Sequence, residues 1–438
     1  MSLSKLDTSL NSEGIGQEMH QFISELYPIC RSITGHGVRA SLDLVKKHIP
    51  LAIHNIPSGT SVFDWTVPKE WNIKDAYIKD SGGEKIADFQ RCNLHVVSYS
   101  VPIQRKVSLD ELKAHTFTLP ERPDWIPYRT SYYDENWGFC LSHKQLQQLR
   151  EDEYEVFIDA SLENGFLTYG EYLVEGESDD EVLISTHVCH PSLANDNLSG
   201  VALATFLAKA LAGLPRRYSY RVLVTPGTIG SITWLSLNEA RVSRIRHGLV
   251  MACVGDPGKI TYKKSRRGNA EIDRAVIQVL NDSGEPYDIV PFSPYGYDER
   301  QFCSPGFNLP VGCFMRTPHG QFPEYHTSAD NLELVKPDAL ADSLFKCLSV
   351  FDLLENNQAY LNLNPKCEPQ LGKRGLYGSI GGAADARLHQ LALLWVLNLS
   401  DGDHTLLDIA EKSGLQFTLV WNAADALMKR NLLKEIPE

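Results

Sequence analysis

Nine cysteines are scattered through the 438 residues, with no Cys-x-x-Cys pair and an odd total. That excludes a disulfide framework and fits a reducing compartment. No stretch approaches the roughly 18 uninterrupted apolar residues of a membrane span. The polar segment Met1 to Gly14 lacks the apolar core of a signal peptide, so a cytoplasmic protein without a membrane partner is expected. Positive charge is in deficit: 42 Lys and Arg face 55 Asp and Glu, a net charge of -13. Neutralising nucleic-acid phosphates needs clustered cations, so this balance argues against general nucleic-acid affinity. Internal repeats and low-complexity segments are absent as well.

What is present is a chain long enough for two or three cores, with an ordinary 43% hydrophobic and 22% charged share. Helical periodicity marks residues 15–28, with Met19, Phe22, Ile23 and Leu26 on one face, and 38–48. From about Trp71 to Asp159 prolines and aromatics crowd between short apolar runs such as Ala76-Tyr77-Ile78 and Leu94 to Tyr99, the texture of a small β-rich domain. Strand and helix patterns alternate over residues 166–360, with strands expected at 166–174, 181–185, 218–225, 248–254, 287–290 and 311–314, and helices at 199–212, 231–241, 270–281 and 337–354. This predicts a mixed, largely parallel α/β sheet covered on both faces. The expected organisation is an α/β domain of residues 1–65 and 165–360, an inserted β-rich domain at 66–164, a Pro- and Gly-rich linker at 361–382, and a winged helix-turn-helix at 383–438.

The stretch Ser185 to Gly200, S-T-H-V-C-H-P-S-L-A-N-D-N-L-S-G, carries the clearest chemistry. It follows the apolar run Val182-Leu183-Ile184 and leads into a helical sequence, so its metal-capable side chains fall at the carboxyl end of a strand, where open α/β sheets bind ligands. Further candidates follow later strands: Gly227-Thr228, Asp256 in Val254-Gly255-Asp256-Pro257, and His326 in Tyr325-His326-Thr327. His nitrogens and carboxylates that are distant in sequence but meet at one sheet rim are what a zinc hydrolase requires.

The order of these pieces resembles the co-catalytic zinc aminopeptidases. More narrowly, the phrases Cys30-Arg31-Ser32-Ile33-Thr34-Gly35, Thr186-His187-Val188-Cys189-His190-Pro191 and Asp298-Glu299-Arg300-Gln301-Phe302 resemble a bacterial aminopeptidase-like family with a β-rich insert and a C-terminal winged helix, found in association with polysaccharide biosynthesis. The resemblance implies a zinc-aminopeptidase fold in which His187, Asp196, Asp256 and His326 hold zinc, with Asp196 as the bridging carboxylate and His190 as a further candidate ligand. It also exposes departures. Cys189 stands where the aminopeptidases have an Asp. Gly227-Thr228 stands where they have a Glu-Glu pair, whose first member is the general base and whose second is a ligand. The resemblance therefore implies one zinc rather than two. It leaves either a lost base, natural or introduced, or a base from elsewhere such as Glu299 or Glu324. Loss of a general base costs ~100- to 10,000-fold in rate.

Asp298, Arg300, Gln301 and Tyr325 are the expected substrate-binding groups, an acid for an amino group and Arg300 for a carboxylate or phosphate. The basic run Lys263 to Arg267 reads as solvated surface, with anion capture as the functional alternative. From Pro365 to Glu438 the net charge is -1, and the expected recognition helix is apolar until Lys429-Arg430, so packing against the α/β domain or contact with a protein partner or a second copy is favoured over DNA. Two functions fit: a weakened zinc hydrolase of a small peptide or amino-acyl compound, or a non-catalytic metal-containing protein that binds such a ligand.

Overall fold

The structure is a computed structural model and describes residues 12–376 and 384–436. The chain divides into two compact units. Among the described residues no helix is long and apolar enough to cross a membrane.

The larger unit spans residues 12–268 and 288–344 and is built on a mixed eight-stranded sheet. Its order is Ala52–Pro57, Phe166–Val174, Ser219–Thr225, Glu181–His187, Ile245–Met251, Val311–Met315, Ile260–Lys263 and Tyr287–Val290. Glu181–His187 runs parallel to both of its neighbours, and Ile245–Met251 runs parallel to Val311–Met315, while the strands toward either edge are antiparallel. The four parallel strands are almost wholly buried, as expected of strands covered on both faces. Helix Gly200–Ala212 packs closely behind them. A Cβ on Gly200 would lie 2.5 Å from the Met251 carbonyl oxygen, so glycine is required where this helix begins.

One polar network crosses that core. Arg221, 4% exposed, donates through Nε and Nη2 to Glu181 at 2.5 Å each and through Nη1 to Glu171. Removing the cation would leave two carboxylates facing each other in the sheet. Arg221→Met is expected to lower unfolding stability by about 3–5 kcal/mol, measured by urea denaturation.

Between the first and second sheet strands the chain builds a separate four-stranded antiparallel sheet in the order Lys85–Asp88, Glu70–Lys79, Glu153–Glu163, Ile103–Ser108. It has its own core, which includes Ile78, Leu112, Phe139, Val156 and Ile158. The run Leu94 to Tyr99 is buried but is no strand: it forms a short helical turn, Asn93–His95, followed by single bridges to Phe139 and Thr130.

The second unit comprises residues 269–287 and 345–436 as described. Helices Ala384–Leu399, Leu406–Ser413 and Phe417–Met428 pack together, and strand Ala359–Asn362 pairs antiparallel with both Asp401–Thr405 and Leu433–Glu435. The expected linker 361–382 thus begins inside a strand, and its part from 377 onward lies outside the described residues. Thr405 caps its helix in a capping box with Asp408. Helix Glu271–Ser283 belongs to this unit, where Arg274 pairs with Asp408 at 2.5 Å and Glu411 at 2.6 Å.

Candidate functional site

His187 is the last residue of its strand. The chain then loops back so that Asp196, in the kinked turn Ala194–Ser199, lies directly over it. His187 Nε2 is 3.0 Å from Asp196 Oδ1 and His326 Nε2 is 3.0 Å from Asp196 Oδ2. His190 Nδ1 lies 3.8 Å from Oδ1. His187, His190 and Asp196 present three ligand atoms within 4.8 Å of one another. Burial alone would raise the pKa of Asp196, but the imidazoles of His190, His187 and His326 outweigh it and hold the carboxylate well below its usual range. Burial pushes His190 down to about 3 despite the adjacent carboxylate, so its ring is neutral at physiological pH.

The backbone around Asp196 is fixed from outside. Asp330, fully buried, accepts from Asn195 N at 2.6 Å and from Asp196 N at 2.9 Å. Burial first, and Asp196 among its neighbours, push its pKa up to about 8. Asn197 Nδ2 donates to Thr186 Oγ1 and to the Met251 carbonyl, tying the turn to two strand ends. Arg31, wholly buried, donates through Nε to the His190 carbonyl at 2.9 Å and through Nη1 to the Leu26 carbonyl at 2.6 Å. The Cys30-to-Gly35 phrase thereby has a structural use in holding the loop that carries His190.

The inserted segment supplies a roof. Tyr128 sets its ring edge-on to His190 at 5.2 Å and to His326 at 5.1 Å, and its hydroxyl is 2.7 Å from that of Tyr132. Tyr128 N donates to the His326 carbonyl. On the other side Tyr297 stacks on His187 at 4.9 Å, with its hydroxyl 3.0 Å from Cys253 Sγ.

A cavity of about 240 Å³ opens onto this cluster, and Gly227, Thr228, Asp298, Arg300, His319 and Tyr325 are among its lining residues. A Cβ built on Gly227 would sit 3.6 Å from His187 Cβ and 3.3 Å from Cys189 Sγ, so a side chain there would extend beside the cluster. Thr228 holds a positive φ of 63°, and its backbone N–H donates to Asp298 Oδ1 at 2.7 Å, a partner that secures this costly conformation. Burial raises the Asp298 pKa.

Of the expected ligands, the structure brings together His187, Asp196, His326 and His190. It does not bring Asp256 to them. Asp256 Oδ1 accepts from Gly258 N and Thr317 Oγ1, and Oδ2 accepts from Asn195 Nδ2 and Thr317 N. With both oxygens committed, this carboxylate braces the loop beneath Asn195. The two substitute bases are not at the cavity either. Glu299 is buried against Lys263 Nζ at 2.8 Å, and neither it nor Glu324 lines the space; Gln301 is also outside it. Asp298, Arg300 and Tyr325 do line it. Residues not singled out from the sequence are Tyr128, Tyr132, Tyr297 and Asp330. The tyrosine-rich segment 128–133 and the Asp four places after His326 were the available signals.

Comparison with known proteins identifies the family and the fold. Residues 20–357 match the family described as a domain of unknown function, DUF4910, and residues 358–435 match a winged helix-turn-helix. A Clostridium acetobutylicum protein, whose name joins polysaccharide biosynthesis to an aminopeptidase-like domain, is 58% identical over 424 residues, which are 97% of this chain and 98% of that one. The crystal structure of a C. acetobutylicum protein named for a peptidase superposes with a TM-score of 0.95 at 55% identity, covering 99% of this chain and all of that one. A zinc aminopeptidase of Bacillus subtilis, at 13% identity and a TM-score of 0.55 over 77% of this chain and 94% of its own, shares the fold. The chain belongs to the DUF4910 family, an aminopeptidase-like α/β fold followed by a C-terminal winged helix-turn-helix.

Proposed function

We propose that the protein is a zinc-dependent aminopeptidase-like hydrolase of a small peptide or amino-acyl compound, slowed because Gly227 occupies the general-base position. The observation that carries this is the buried Asp196 carboxylate clasped between His187 and His326, with His190 beside it. The donor set suits zinc. His190 Nδ1 is buried with no hydrogen-bond partner, a neutral nitrogen lone pair of the kind zinc takes, and the carboxylate stays ionised. His187, His190 and Asp196 would hold one ion, and three protein ligands leave the open fourth position that marks catalytic rather than structural zinc. His326 would orient Asp196 through its second oxygen. Bound zinc would supply a Lewis acid for the scissile carbonyl and an acidified water. The chain's own residues set the conditions: Tyr128 and Tyr132 shield the cluster from bulk water, Asp330 fixes the backbone of Asp196, and the small cavity limits the substrate to a short compound.

A panel of dipeptides and amino-acyl amides, assayed with added zinc, tests the reading. Slow turnover above a metal-free control, abolished in His187→Ala, is expected. Absence of turnover in both the native chain and Gly227→Glu would refute it. The absent base also favours a second reading, a metal-containing protein that binds such a compound without cleaving it, with the winged helix contacting a partner protein or a second copy rather than DNA. Ligand binding without turnover, even in Gly227→Glu, would select that reading.

A further inference from the structure

The cavity beside the histidine cluster contains a cation with no counter-ion. Arg300 lines it together with His187, His190 and His326. Its Nε is buried and makes no hydrogen bond. Its Nη2 lies 3.5 Å from Thr228 Oγ1, at the outer limit of a hydrogen bond. Among the described residues no carboxylate lies within ion-pairing distance of it. Several other cations enclosed in this unit are matched with acids, Arg221 with Glu171 and Glu181, Lys263 with Glu299, and Arg316 with Asp342, while the buried Arg31 is held by the carbonyls of Leu26 and His190 instead. Of the acids next to Arg300 in sequence, Glu299 gives Oε1 to Lys263 and Asp298 gives Oδ1 to the Thr228 backbone; the second oxygen of each is buried without a hydrogen-bond partner, and neither pairs with Arg300. A second donor-capable nitrogen on the same wall, His319 Nδ1, is likewise buried without a partner. Unmet polar groups in a buried wall carry a free-energy cost, and a recurrent reason for retaining them is a ligand that completes them.

We propose that Arg300 is the specificity residue of this cavity and takes an oxyanion of the substrate, a carboxylate or a phosphate. A planar guanidinium with free donors binds either group through paired charge-assisted hydrogen bonds. Because the cavity is about 240 Å³, the anion belongs to the same small molecule whose carbonyl faces the histidine cluster. The substrate class is therefore a short amide or peptide that bears a negative group near its cleavable bond. This deepens the hydrolase reading above and rests on it for the cleavable bond, though the anion seat itself is tested by binding alone.

The test is isothermal titration of the full chain, with and without zinc, using the dipeptide Ala-Ala, its C-terminal amide, and inorganic phosphate. The native protein is expected to bind the free dipeptide about tenfold or more tightly than the amide. Arg300→Gln should remove that preference, and Arg300→Lys should keep part of it. If phosphate binds instead and is lost in Arg300→Gln, the seat stands and the anion is a phosphate. Equal affinity for acid and amide in the native chain, retention of the preference or of phosphate binding in Arg300→Gln, or no binding of any probe would overturn the proposal. Zinc content is measured on the same samples. A protein that discriminates the anion but holds no zinc would refute the hydrolase reading and leave the seat intact.

Discussion

Gly227→Glu is expected to raise zinc-dependent hydrolysis by about 100- to 10,000-fold, the usual contribution of a placed general base. Three features of the structure favour gain over disruption. Gly227 is not in the left-handed backbone region that only glycine adopts freely. The direction a side chain would leave the backbone is toward His187, with the nearest atoms at 3.3 to 3.8 Å, so the new carboxylate would enter the space next to the cluster instead of the core behind it. The tightest neighbour is Cys189 Sγ at 3.3 Å, a single side-chain atom that must give by only a few tenths of an ångström. The neighbouring acids are partly committed elsewhere: Glu299 is held by Lys263, and Asp298, which lines the cavity, has one oxygen on the Thr228 backbone. Steady-state kinetics on the best substrate of the panel measure the effect. A kcat unchanged from the native chain, with zinc still bound and the fold intact, would mean that position 227 has no part in proton transfer.

The parallel centre of the fold was legible because burial on both faces leaves continuous apolar runs. Val182-Leu183-Ile184 and Val222-Leu223-Val224 are such runs, each ending at a site residue or its turn. The strand Ile260–Lys263 escaped notice for a physical reason. Its lysine opens a basic run that reads as surface, yet Lys263 is 4% exposed and its partner Glu299 lies 36 positions away, a pairing that sequence spacing does not reveal. The helix Glu271–Ser283 was legible from its period, but its grouping with the winged helix rests on Arg274 and two acids more than 130 residues later. In the site, His187 and His326 could be picked out because ligand chemistry and position after a strand coincide. Asp256 meets the same two criteria, and what separates it from the cluster is the local hydrogen bonding of Thr317, Gly258 and Asn195. The roof tyrosines come from the inserted segment, where aromatic content was visible but its direction was not.

That difference between Asp256 and His190 leads to the second large expected effect. His190→Ala should weaken zinc binding by more than about 100-fold, beyond the 10- to 100-fold typical of losing a group that only supports a ligand. Asp256→Asn should weaken it by less than about tenfold. The reasoning is geometric. His190 Nδ1 is buried, unpartnered and 3.8 Å from the central carboxylate, and Arg31 holds the carbonyl of the same residue, so the imidazole is oriented and its lone pair is unspent. Asp256 has no free oxygen to offer without breaking its bonds to Thr317, Gly258 and Asn195, each of which would cost about 1 kcal/mol or more. Asparagine keeps its shape and part of that bonding, so the fold should survive. Competition with a chromogenic chelator gives both affinities, and thermal melting of the metal-free variants checks that each is folded. The opposite ranking, with zinc lost in Asp256→Asn and kept in His190→Ala, would restore the ligand set that the aminopeptidase resemblance implies and would require the Asp256 loop to rearrange when metal binds.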